Sequence, residues 1–187
     1  MAKKIIFGVL LAISVYLGFY LKSSLQEHND EYVMIKTIDF KVIDRLSQLR
    51  AAQKGYIDLH GEYATSWNEL LRFIKEDQFP IVQIKEEILK DQLGKDSIAI
   101  TTDTLEMVSV YDSLRNQLGK VQLGDIQNLI LAPVTNDTFL LTTKAKGEHY
   151  IEVKDPSPVN PARQKDGNMK PLKFGSTRSA TTKGNWE

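Results

Sequence analysis

The sequence predicts an α+β protein in which an N-terminal transmembrane helix continues into a long amphipathic helix, packed on a small antiparallel β-meander. Three observations predict it. The stretch Ile5–Leu21, IIFGVLLAISVYLGFYL, carries no charge, and hydroxyl groups are its only polar side-chain atoms. Between Glu31 and Leu59 apolar residues recur at steps of three and four, the period of one helix face. Between Ile126 and Val153, three apolar or β-branched runs alternate with turn-forming pairs.

The first element is suited to a bilayer. At about 1.5 Å per residue Ile5–Leu21 spans roughly 25 Å, against a hydrocarbon core of about 30 Å. Lys3 and Lys4 precede it and Lys22 follows it, and their long side chains can cover the difference by reaching the headgroups. Tyr16, Phe19 and Tyr20 gather at the C-terminal end, where amphipathic rings settle at the membrane–water interface. A cleaved signal peptide also starts basic and apolar, but it ends in small residues; here the exit is Tyr-Leu-Lys-Ser-Ser. A buried core helix would carry a polar face, which this stretch lacks. The absence of cysteine excludes a lipidated-cysteine anchor and any disulfide. Basic residues before the span and Glu27, Asp30 and Glu31 after it predict a cytoplasmic N-terminus, with the remainder exported; in a bacterium that means the inner membrane and periplasm.

The expected organisation is an anchor over residues 1–22, a periplasmic α+β domain over 23–154, and a Pro/Gly/Lys-rich tail over 155–187. Charged residues make up 26% of the chain and balance to a formal net charge of zero, without the basic excess that a nucleic-acid partner demands.

The amphipathic helix follows the anchor. Its stripe is Ile35, Ile38, Val42, Leu46, Leu49, Ala52 or Gln53, and Tyr56, with a break expected at Asn29-Asp30, whose side chains compete for backbone hydrogen bonds. Gly61 permits the chain to stop and reverse. Ser66-Trp67-Asn68-Glu69 reads as a capping box opening a helix from Trp67 to about Glu76 that buries Leu70, Leu71, Phe73 and Ile74. Pro80–Ile84 reads as a strand, and the charged Lys85–Asp96 as a solvated helix turn or loop. Ser97–Val110 suggests a strand, a turn near Asp103, and then a second strand or a helix start. Tyr111–Leu118 looks helical and ends at Gly119. The meander is expected from Ile126–Val134, Thr138–Thr143 and His149–Val153, joined at Asn136-Asp137 and Lys146-Gly147. The tail is either disordered or laid along the surface, with Leu172, Phe174 and Trp186 as contact points.

The sequence offers no catalytic constellation, metal set or cofactor loop. His28, His60 and His149 are the only histidines, and no GxSxG, glycine-rich phosphate loop, HExxH or CxxC pair occurs. His60 lies between Asp58 and Glu62, but adjacent side chains on a turn rarely converge on one ion, so it reads as a solvated turn residue. Tyr56, Tyr63 and Trp67 form an aromatic trio around the turn. With Trp186 they are candidates to face a partner, the alternative for the trio being core packing.

The order of elements is similar to that of type IV pilins and type II secretion pseudopilins. The likeness is local at Leu49-Arg-Ala-Ala-Gln-Lys-Gly-Tyr56, Gly61-Glu-Tyr63, Ser66 and Leu70. It implies a pilin-like layout. The chain departs from pilins in having no glutamate within the apolar stretch, and cutting at Gly18–Phe19 would leave FYLKSSLQE, too polar for a membrane helix. The exported region also resembles a family of single-span envelope proteins of Bacteroidota. That resemblance rests on the AQKGY-like helix end, the SWNEL helix, Phe79-Pro-Ile-Val82 and the terminal Gly184–Glu187. It implies a membrane location and brings no activity with it.

The functional expectation is therefore a non-enzymatic, membrane-anchored periplasmic protein. It would act as a structural or assembly component of a secretion or motility complex of the cell envelope. Its partners would be membrane lipid around the N-terminal helix, other envelope proteins and further copies of itself. The alternatives are a pilin-like filament subunit and a secreted binding domain released by signal cleavage.

Overall fold

The computed structural model describes residues 2–90, 96–119, 121–144 and 150–187, with backbone alone at 2–6, 12, 27–28, 86–90 and 96–99. It is an α+β arrangement: a long N-terminal helix with two small antiparallel sheets.

Helix α1 runs from Ala2 to His60 without interruption. The break expected at Asn29-Asp30 does not occur. Both side chains are exposed to solvent, and with apolar or charged helix formers on either side the small propensity loss is absorbed. From Ile38 onward the helix buries one stripe: Ile38, Val42, Leu46, Leu49, Ala52, Gln53 and Tyr56. Ile35 stays half-exposed, because the domain ends below it. Gly61 closes the helix at φ +79°, its N–H bonded to Ile57 O at 2.8 Å. The turn that follows is tied to α1 by Gln53. Its buried amide accepts from Ala64 N (3.1 Å) and donates to Ala64 O (3.3 Å).

Helix α2, Trp67–Glu76, starts as expected, with Ser66 Oγ accepting from Glu69 N at 3.3 Å. Glu69 reaches back one residue further than a simple capping box, accepting from Thr65 N at 2.9 Å. Leu70, Leu71, Phe73 and Ile74 are buried.

The next stretch corrects two expectations. Strand β1 (Gln78–Lys90) and strand β2 (Asp96–Ser109) form one antiparallel ribbon, so Lys85–Lys90 is strand and not a helix turn or loop. Nor is there a turn near Asp103, which pairs with Gln83. The irregularity lies elsewhere: the register slips so that Ile81 faces Glu106 and Val82 faces Thr104, bulging Leu105. Crowded charges over Lys85–Lys90 hid the strand, because what satisfies its backbone is β2, invisible to any local window. The expected loop residues 91–95 lie outside the described residues.

Helix α3 (Val110–Leu118) is capped by Ser109 Oγ, which accepts from Asp112 N at 3.1 Å, and ends at Gly119 with φ +63°. The run Ile126–Val134, expected as the first strand of the meander, is mostly a 3-10 helix, Leu123–Ile130. Ile126 and Leu129 are its buried residues, three apart, the spacing that eclipses side chains in this helix type. Only Leu131 keeps a strand contact, a bridge to Thr138. Asn136 supplies the turn between them, at φ +57°.

A meander does form, with two of its strands where they were expected and the third from another segment. Strands β3 (Leu140–Thr143), β4 (Ile151–Lys154) and β5 (Lys173–Gly175) pair antiparallel in that order. The expected turn Lys146-Gly147 and His149 lie outside the described residues. The third strand comes from beyond Asp155, so the boundary drawn at 154 cuts through the sheet. Leu172 and Phe174 are buried in the same core as Leu46, Leu70, Phe73 and Phe139. At Gly175 (φ +78°) a Cβ would sit 2.0 Å from Ile151 O, which explains the glycine. The last residues fold back on α1: Arg163 Nε donates to Asp39 at 2.8 Å, and Arg50 pairs with Glu187 while stacking near Trp186. Of the alternatives foreseen for the tail, the surface path holds in part: much of 156–171 is at the surface, and the three expected contact residues do contact the core, but Leu172 and Phe174 are inside it.

Candidate interaction surfaces

By length and composition, α1 is the one helix among the described residues apolar enough to cross a membrane. Ile5, Lys3 and Lys4 lie in its backbone span with side chains outside the described set. Leu21 and Lys22, at the other end of the span, are exposed, as are Phe7, Leu10, Val15, Tyr16 and Phe19. Nothing in the chain packs on this segment among the described residues. The same helix enters the domain core, so the apolar rod and the folded domain share one continuous backbone.

The aromatic trio divides. Tyr56 is only 7% exposed and belongs to the core, edge-on to Phe73 with ring centroids 5.0 Å apart. It therefore cannot meet a partner. Its hydroxyl donates to Glu69 Oε1 at 2.8 Å. Burial, and then that bond to an anion, pushes the Tyr56 hydroxyl up to about 12. Burial alone would raise Glu69, but the donors Tyr56 and Thr65 outweigh it and hold the carboxyl below its ordinary value. Tyr63 and Trp67 are half-buried against the core, and Trp67 Nε1 donates to Phe139 O at 2.9 Å. Trp186 is likewise half-buried, beside Arg50. All four residues foreseen as partner-facing thus serve the domain's own packing in whole or in part.

The Tyr56–Glu69 pair makes a pH prediction. An unfolded tyrosine ionises near 10, whereas folded Tyr56 keeps its proton to about 12. The stability this contributes is complete below pH 10 and is lost as pH rises through 12. Tyr56→Phe is expected to cost about 1 kcal/mol at pH 7. The gap between wild type and variant in urea midpoints should then narrow between pH 10 and 12. A gap that holds constant over that range would show that the hydroxyl is not held as the geometry requires.

His60, at the end of α1, places Nε2 3.1 Å from Asp77 Oδ2, and its ring lies 4.3 Å from that of Tyr56. Asp77 roots the ribbon: its N–H bonds to Phe73 O, and its carbonyl accepts from Val110 N at 3.0 Å. The histidine read as a solvated turn residue is exposed at the end of α1, where it also reaches Asp77 at the root of the ribbon. Among the described residues no group of three or more His, Cys, Asp or Glu side chains could hold a metal ion.

Among the described residues, two of the concavities flank α1, and one projection leaves the domain. A polar cavity of about 610 Å³ is lined by Asp44, Arg45, Gln48, Gln122, Asp125 and Asn128, among others. Arg45 Nη1 donates to Asn128 O at 2.6 Å, and burial lowers its guanidinium from the usual value. Gln48 donates to Asp44 Oδ2 at 3.0 Å. A second groove, of about 380 Å³, lies between α1 and the C-terminal residues, with Phe40 69% exposed at its rim. The projection is the β1–β2 ribbon. Its root packs through Phe79 onto Phe73 and Gly55, while Ile84 and Ile100 are 61% and 64% exposed. Sequence reading found strands at Pro80–Ile84 and within Ser97–Val110 but not the ribbon they extend into; the signal lay in Val82, Ile84, Ile100, Thr102 and Thr104, one residue in two on each strand.

Comparison with known proteins finds no matching family model, no similar curated protein and no solved structure that resembles this chain.

Proposed function

We propose that the chain is a membrane-anchored, non-enzymatic component of a cell-envelope assembly, held by α1 in the inner membrane with its α+β domain in the periplasm. The observation that supports this best is that the uncharged stretch and the core stripe lie on one unbroken helix. A rod of that kind transmits position: it keeps the domain at a set height and confines it to a surface, raising its effective concentration toward neighbours. Lys3 and Lys4 before the span, against Glu27, Asp30 and Glu31 after it, favour export of the domain. The pilin-like layout and the likeness to single-span envelope proteins of Bacteroidota agree with an assembly role; the missing glutamate speaks against a pilin filament.

The test is alkaline extraction of membranes, N-terminal sequencing of the extracted chain and mild-detergent capture of its companions. The expected result is a chain that resists extraction, retains Met1 or Ala2 and recovers the same envelope proteins in repeated captures. A mature start near Phe19 would replace this reading with a filament subunit, and one near residue 25 with a secreted domain. Capture of no reproducible companion would remove the assembly role.

A further inference from the structure

The β1–β2 ribbon is unfinished as a sheet. Each strand pairs only with the other, so among the described residues both outer edges present unpaired backbone N–H and C=O groups. At about 3.4 Å per residue the ribbon extends roughly 40 Å. A two-stranded sheet of that kind is marginal in water unless more strands or a packed face support it. Past the bulge, Val82, Ile84, Ile100, Thr102 and Thr104 share one face, and Gln83, Lys85, Thr101 and Asp103 share the other.

The two edges differ in a way that selects an occupant. The β1 segment carries Pro80, Lys85, Glu86, Glu87 and Lys90, the residue types that blunt an edge against further pairing. Within β2 the run Ser97-Ile-Ala-Ile-Thr-Thr102, between Asp96 and Asp103, has no charge or proline and is rich in β-branched residues, whereas the β1 residues opposite it include Lys85, Glu86 and Glu87. Laid antiparallel against its own copy, this run meets no like charge, and a two-fold axis normal to the sheet leaves both apolar faces on the same side.

We propose that β2 pairs edge to edge with β2 of a second copy, about an axis within Ile100–Thr102, joining two ribbons into one four-stranded antiparallel sheet. Shared anchoring, which rests on the proposed function above, holds the two copies in one plane at high effective concentration.

The chain has no cysteine, so Ile100→Cys, Thr101→Cys and Thr102→Cys each serve as a single reporter in the full-length protein. Opposed Cα atoms of an antiparallel pair lie about 4.5–5.5 Å apart, within disulfide range. Copper-phenanthroline oxidation of membranes is expected to convert at least one of the three to a dimer band. That band should exceed the one from Arg115→Cys, on the exposed side of α3, by about tenfold or more. Adding Asp103→Lys and Thr104→Lys, which replace the acidic neighbour of the pairing run with two adjacent cations, should remove it while near-UV circular dichroism is unchanged. No dimer band above the Arg115→Cys level at any of the three positions, or a ladder of larger species, would overturn the pairing. Fractionation of the same samples keeps the two readings apart: a chain recovered without membranes overturns the anchor, and the dimer band still decides the pairing.

Discussion

A chain ended at Lys154 is expected not to fold. The segment it lacks supplies β5, which pairs with β4 through Val153–Phe174 and its neighbours, and the buried side chains Leu172 and Phe174. Truncating a buried leucine costs about 2–5 kcal/mol and a buried phenylalanine about 3–5 kcal/mol, so these two alone approach the whole stability of a domain, about 5–15 kcal/mol. The lost strand also leaves β4 with an open edge, and Asp39 loses Arg163 and Asn160 together. The measurement is a urea transition followed by near-UV circular dichroism in detergent, comparing the full chain with the chain ended at Lys154. The full chain should unfold cooperatively and the shortened one should show no transition. A shortened chain with a cooperative transition within about 2 kcal/mol of the full one would mean that the C-terminal segment is an ornament after all. Trp186→Ala provides the contrast: half-buried at the rim, it should cost only about 1–2 kcal/mol.

The second large effect concerns the anchor. Leu11→Arg together with Val15→Arg places two guanidinium groups one helical turn apart near the middle of the apolar segment. Each charge at the centre of a span costs about 2.5–3.5 kcal/mol of insertion free energy, so the pair removes about 5–7 kcal/mol. That is enough to convert stable insertion into failure. The variant should leave the extraction-resistant membrane fraction or be degraded, whereas Phe40→Arg, on the same helix but within the folded domain and 69% exposed, should stay in it. Equal membrane retention of both variants would rule out a bilayer-spanning role for this stretch.

These two predictions fall on opposite sides of what could be read from the amino acids. The apolar segment is legible because its signal is contiguous. The core stripe of α1, the Ser66 cap, and the glycine stops at Gly61 and Gly119 are legible because each rests on chemistry within four residues. Even the surplus reach of Glu69, to Thr65, stays inside that range. The aromatic trio was only half legible: residue type marked it as important, but whether a ring faces a partner or the core depends on what folds over it. Tyr56 is covered by Phe73 and Trp67 is tied to Phe139, seventy-two positions away.

The sequence by itself determined α2 and α3, the C-terminal end of α1 and the face that α1 buries. It did so because a helix satisfies its backbone internally and its caps are local. Tertiary structure alone decided that Lys85–Lys90 is a strand, that Ile126–Ile130 is not, and that the segment after Asp155 completes the sheet and the core. A strand's hydrogen bonds lie on another strand, so its existence depends on a partner that no local pattern names. Charges along Lys85–Lys90 and prolines after Asp155 suggest loop to a local reading, whereas the partners that make strands there, β2 for β1 and β4 for β5, come from other segments.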